Sequence, residues 1–262
     1  MYASCPKCGH APLPKDQASP AACPACGVIL AKFGAAPARP ANALRADPHE
    51  DQDEGKPGWR GYLGELLLHV PEQVARLNWT GRAVTLAVFA LWTVWIFASV
   101  NIQAGEVGSG FLHMILLVFH EAGHVIFMPF GQFITIAGGT LGQLLMPLLV
   151  GGSLLIQRRD PFGAALFAWL LGFSVIDMSV YMYDAFDPKM MLLGGKTGAE
   201  SDGHDWQNMF GDLGLLRSAR GIGLTWGMIG RLMMVGALAW AGYLVWRQRA
   251  NISDNPIAED RF

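Results

Sequence analysis

The sequence has no cysteine after position 26, few charged side chains, and no apolar leader at its start. With all four cysteines in the first 26 residues, disulfides cannot staple the rest of the chain. MYASCPKCGH contains no hydrophobic h-region, so no cleavable signal peptide is expected and the N-terminus is expected to stay in the cytosol. Only 15% of residues are charged while 52% are hydrophobic, and mean hydropathy is +0.30. Soluble domains carry about 25% charged residues, so the deficit points to a membrane protein. A net charge of −2 gives no basic footprint, and no nucleic-acid partner is expected.

The early cysteines are strongly patterned. Cys5-Pro-Lys-Cys8-Gly and Cys23-Pro-Ala-Cys26-Gly are two matching knuckles, the spacing of a zinc ribbon over residues 1–34. Each C-x-x-C brings two thiolates to one ion, and the following glycine permits the tight turn whose amides face the sulfurs. Four thiolates close a tetrahedral site, so this zinc is structural. The ribbon's own partner is not specified. Residues 35–58 are rich in Ala, Pro and acid without hydrophobic periodicity, and read as a flexible linker.

Downstream, FLHMILLVFHEAGHVIFMPF (residues 111–130) carries His120, Glu121 and His124 in the H-E-x-x-H spacing. On a helix, positions i and i+4 share a face, so both imidazoles can address one ion. Two histidines leave room for a third protein ligand and a water, with Glu121 placed as general base. The flanks MILLVF and VIFMPF read as a bilayer span. A carboxylate in such a span costs on the order of 2.5–3.5 kcal/mol on insertion scales, which favours a site with a metal over a coincidence of side chains.

The expected class is an α-helical polytopic membrane protein of about five spans with a small N-terminal zinc ribbon. Residues 59–80 form an interfacial amphipathic segment, 81–250 the bundle and 251–262 a polar tail. Spans are expected near 83–102, 111–130, 133–156, 162–184 and 221–246, the third broken by Gly138-Gly139 and Pro147. From a cytosolic N-terminus, five crossings put the C-terminus outside and the 185–220 loop inside. Lys189, Lys196, Arg217 and Arg220 then obey the positive-inside rule, whereas Arg158-Arg159 and Arg247-Gln248-Arg249 violate it. A re-entrant third segment, unwound at its glycines, is one way to remove the conflict.

The third ligand has several candidates. Asp177 and Asp184 share a face of the fourth span with Tyr181 between them. Depth counted at about 1.5 Å per residue favours Asp177. His204, in His204-Asp205-Trp206, can fold back from the loop. Gln143 is a further polar group, able to bond a substrate carbonyl or merely a neighbouring helix.

With HEAGH in one span and an aspartate two spans later, the chain resembles the site-2 protease family of intramembrane zinc metalloproteases. The whole layout of zinc ribbon, HEAGHVIF, GGTLGQ and HDW also resembles small bacterial membrane proteins described as zinc-ribbon-containing. The protease resemblance implies His120 and His124 as metal ligands, Glu121 as base and, by aligning the end of Ser174–Asp184, Asp184 as third ligand. It further implies hydrolysis of peptide bonds in membrane or membrane-proximal substrates, in the cell (inner) membrane. The Asp-Gly signature is missing from the span: Asp184 precedes alanine and Asp177 precedes methionine.

Two zinc ions are therefore expected, one structural in the ribbon and one catalytic in the bundle; iron or cobalt would also accept two histidines and a carboxylate. The competing reading is a non-enzymatic membrane zinc scaffold or sensor, with the ribbon as cytosolic docking module. A zinc-dependent lipid amidase is a third.

Overall fold

The computed structural model describes residues 2–15, 17, 21–30 and 58–254. Contacts divide the chain into two units, Met1–Lys56 and Pro57–Phe262. Most of the expected linker, and the end of the polar tail from 255, lie outside the described residues.

In the first unit the two knuckles repeat one geometry. Cys5 N donates to His10 O and Gly9 N to Cys5 O; Cys23 N donates to Val28 O and Gly27 N to Cys23 O. Gly9 and Gly27 have φ of +75° and +70°, backbone that side chains with a Cβ rarely adopt. Leu30 packs against Cys5 and Cys23, closing a small core.

The second unit is an α-helical membrane bundle. Five of its helices are long and apolar enough to cross a bilayer. A short helix α1 (Trp59–Leu68) is followed by β1 (Val74–Ala75) and α2 (Arg76–Ser99). Next come β2 (Val100–Asn101), β3 (Glu106–Val107), α3 (Gly110–Phe127), α4 (Gln132–Ile156) and α5 (Pro161–Asp184). The chain continues with α6 (Asp205–Asp212), α7 (Ala219–Gln248) and β4 (Ile252–Ser253). The expected amphipathic helix stops at Leu68 because Pro71 disfavours helix before it, and Trp79 belongs to the first span instead. The final segment is tied back, with β4 pairing in parallel with β1.

α5 is the hub, apolar on all sides and buried from Gly172 to Val180. It crosses α7 closely: a Cβ on Gly230 would stand 2.7 Å from Gly172 O, and one on Gly223 2.8 Å from Ser179 O. Small residues at such crossings bring backbones together, and van der Waals contact then holds helices that gain little from hydrophobic burial in lipid.

Helix directions follow from the neighbours. Trp79 Nε1 donates to Val245 O at 3.0 Å and Ile102 meets Gly227, so α2 runs against α7. Gly172 faces Gly230 and Gly223 faces Tyr183, so α5 also runs against α7. Gln143 meets Ser174 while Gly151 meets Phe167, so α4 runs against α5. Gly123 meets Gly138 while Phe119 meets Gly142, so α3 runs against α4.

Thus α2, α3 and α5 point one way, α4 and α7 the other. The chain turns back between α2 and α3 through a single 3-10 turn, Ile102–Ala104. The β2–β3 hairpin, turned at Gly105 (φ +79°), returns Gly108 to the side of Ile96 and Val100. α3 then starts inside the bundle, with Phe111 stacked on Trp92 at 6.4 Å. The expected strict alternation of direction therefore fails between α2 and α3, which run the same way, and both described ends of the bundle, at Gly58 and Asp254, lie at one end, termed the near end. The re-entry lies at 100–109 and not in α4, where Gly138 and Gly139 stay helical because α3 packs on them.

Candidate metal centre

The functional side chains collect about seven residues below the far ends of α3 and α5. His120 and His124 lie one turn apart on the face of α3 that meets α4. The ring of His124 is oriented by Nδ1, 2.8 Å from Thr135 O; facing a carbonyl, that nitrogen carries the proton and Nε2 keeps its lone pair. His120 is fixed by Gln143. The amide nitrogen of Gln143 donates to Asp177 Oδ2 at 2.7 Å and faces Ser174 O at 3.4 Å. Its oxygen must then be what faces His120 Nδ1 at 3.2 Å. His120 therefore also presents an unprotonated Nε2.

Both lone pairs point at one oxygen. Asp205 Oδ2 lies 3.0 Å from His120 Nε2 and 3.3 Å from His124 Nε2. Three acceptors converging in this way call for a cation between them. Tetrahedral ligands at 2.0–2.1 Å from zinc stand about 3.3 Å apart, close to these separations. Ligand atoms of His120, Glu121 and His124 also lie within 4.8 Å of one another. These residues can bind a metal ion.

The opposite wall is backbone. A Cβ on Gly139 would stand 2.5 Å from His120 Nε2 and 2.6 Å from His124 Nε2, so glycine keeps the space in front of both nitrogens open. The site borders a cavity of about 480 Å³ lined on its apolar side by Met114, Leu117, Met178 and the loop segment 190–193. Glu121, Tyr181 and His113 face the same cavity.

The expected third ligands are placed elsewhere. Asp177 is paired with His113 Nδ1 at 2.8 Å as well as with Gln143. Asp184 accepts the amides of Lys189 and Met190 at 3.0 and 3.1 Å and faces His204 Nε2 at 3.3 Å. His204 is fully buried as the N-cap of α6, its Nδ1 accepting from Gln207 N. Neither aspartate nor His204 meets His120 or His124. Gln143 lines the same cavity but has its amide group committed to Asp177 and His120.

Asp205 is the residue that sequence reasoning passed over. As the first residue of α6 it projects away from its N-cap, and its N–H donates to Tyr181 Oη at 3.1 Å. A signal was there: a cap residue followed by an acid is a helix start, and such an acid aligns with the helix dipole.

The cysteines form a second candidate site. Cys5 and Cys26 sulfurs lie 3.7 Å apart, and Cys8 and Cys23 3.8 Å. A tetrahedron with Zn–S of about 2.3 Å has edges of about 3.8 Å, whereas a disulfide requires about 2.05 Å. Burial disfavours ionising Cys5, but the amides of Cys8 and Lys7 aimed at its sulfur bring the thiol down to about 6. The four cysteines can bind a metal ion.

No family model, curated protein or solved structure matches this chain.

Proposed function

We propose that the protein is a membrane-embedded zinc metalloprotease that hydrolyses peptide bonds of membrane or membrane-proximal substrates. The observation that carries the reading is Asp205 set against both His120 and His124 beside Glu121, in front of a bare glycine wall. Two imidazoles and one carboxylate are a catalytic donor set, because the fourth position stays open to water. Zinc held there supplies Lewis acidity and lowers the pKa of such a water to about 7.

The chain's own residues do the rest. Glu121, on the cavity side, takes a proton from the water as its oxygen bonds to the carbonyl carbon. It returns that proton to the amide nitrogen as the C–N bond breaks. Tyr181 Oη accepts the Asp205 N–H, so its own proton is available to the developing oxyanion. Gln143 holds His120 in the tautomer that leaves Nε2 bare. The resemblance of HEAGH to the site-2 proteases supports the same assignment. The cysteine ribbon holds a second, structural zinc.

The test compares wild type with Glu121→Gln in detergent-purified protein and in membranes. Zinc content should stay at two ions per chain, while new peptide N-termini in the membrane proteome should fall about 10²–10⁴-fold in rate of appearance. Equal cleavage by both proteins would leave the bundle metal as a structural or sensory site.

A further inference from the structure

The fold has two unlike ends. At the near end lie the start of α2 with Arg76 and Arg82, the α4–α5 turn with Arg158 and Arg159, and the end of α7 with Arg247 and Arg249. Contacts join these pieces: Phe162 packs with Trp79 and Leu244, Arg159 Nη1 reaches Glu65 Oε1 at 3.4 Å, and Asn251 Nδ2 donates to Pro71 O at 2.7 Å. At the far end are the 100–109 hairpin, the α3–α4 turn and the segment from 185 into the first turn of α7, with only Lys189, Lys196, Arg217 and Arg220. Lysine and arginine in short flanking segments decide orientation, and the richer end stays in the cytosol.

We infer that the near end faces the cytosol and that the metal cavity opens on the opposite, extracytosolic face, where its substrate is an extracytosolic segment of a polypeptide. The positive-inside balance then favours the near end: its six arginines are cytosolic, against the four basic residues left at the far end. Arg158-Arg159 and the arginines closing α7 are both cytosolic, because α2 and α3 run the same way. Depth gives the route of access. His120 precedes the far end of α3, Phe127, by seven residues, and Asp177 precedes that of α5, Asp184, by seven. At about 1.5 Å per residue the site lies roughly 10 Å from the far end and roughly 24 Å from the near one. The lining supplied by Met190–Leu193 and Asp205 belongs to the far-end segment, so substrate enters beside that segment. The sidedness rests on the fold and the arginines; only the word substrate rests on the hydrolytic reading.

The experiment labels full-length protein with a membrane-impermeant maleimide in intact and then permeabilised cells. Exposed Ala199→Cys reports the far end and exposed Gln157→Cys the near end, against wild type, whose own thiols all precede residue 27. Each variant is made in the Glu121→Gln background, so turnover does not enter the result. The expected outcome is Ala199→Cys labelled in intact cells, with Gln157→Cys and wild type labelled only after permeabilisation. The reverse pattern would overturn the sidedness. Labelling of both variants in intact cells, or of neither, would also overturn the sidedness, because α5 would then not separate the two positions.

Discussion

Gly139 stands so close to His120 that a single methyl group on it would lie 2.5 Å from Nε2. The α3–α4 contact thus leaves a space beside the imidazoles that only glycine keeps. Gly139→Ala fills it with carbon. The variant should bind one zinc per chain where wild type binds two, the remaining ion being held by the cysteines. Metal analysis of purified protein, with His120→Ala as reference, reads this directly. Overpacking should also cost about 1–3 kcal/mol of bundle stability. Two ions in Gly139→Ala would mean the helices part there at little cost.

Asp177 is buried and Asp205 partly buried, both linked to His120, but only Asp205 touches an Nε2. Asp205→Asn removes the negative charge from the converging set. It should weaken metal binding in the bundle by more than tenfold. Asp177→Asn acts through Gln143 on the other side of the ring, and such orienting partners typically contribute 10–100-fold. Competition with a graded series of chelators orders the two variants. The assignment fails if Asp177→Asn loses the ion and Asp205→Asn keeps it.

Much of this was legible in the sequence. The apolar runs around HEAGH, GGTLGQ and Ser174–Asp184 give α3, α4 and α5 to within three residues, because in lipid a helix must satisfy its own backbone. The ligand pair was legible because i, i+4 spacing is local. Helix direction was not. It turns on the hairpin that folds Gly108 back beside Ile96 and Val100, a contact with no periodic signature. The proposed third ligand, Asp205, was hidden for a similar reason. Asp177 and Asp184 lie in a span at plausible depths, whereas Asp205 arrives from a loop whose path depends on Asp184 binding two amides and His204.

That loop gives the third prediction. Asp184 collects the amides of Lys189 and Met190 and faces His204 Nε2, so it pins both ends of the segment that delivers Asp205. Asp184→Asn keeps the shape but weakens charge-assisted hydrogen bonds. Residues 189–204 should exchange amide hydrogen faster, by about tenfold or more for a loss of about 1.4 kcal/mol, while α3 and α5 stay protected. Zinc affinity should drop less than in Asp205→Asn. Unchanged exchange with complete loss of zinc would instead make Asp184 a ligand.

The last prediction concerns the hub. Gly230 lies against Gly172 O and the Ile176 side chain, and a Cβ there would approach each to 2.7 Å. Carbonyl and helix backbone cannot yield as a flexible side chain would, so Gly230→Ala must push α7 away from α5. The shift reaches the site only indirectly, since α7 supplies no side chain to the cavity wall. Thermal unfolding in detergent should therefore begin earlier, in keeping with about 1–3 kcal/mol for overpacking, while the folded fraction still binds two zinc ions. Gly236→Ala, where nothing lies within 4 Å of the added carbon, is the control and should unfold like wild type. If Gly230→Ala were equally silent, the close α5–α7 crossing that sets the direction of both helices would be wrong.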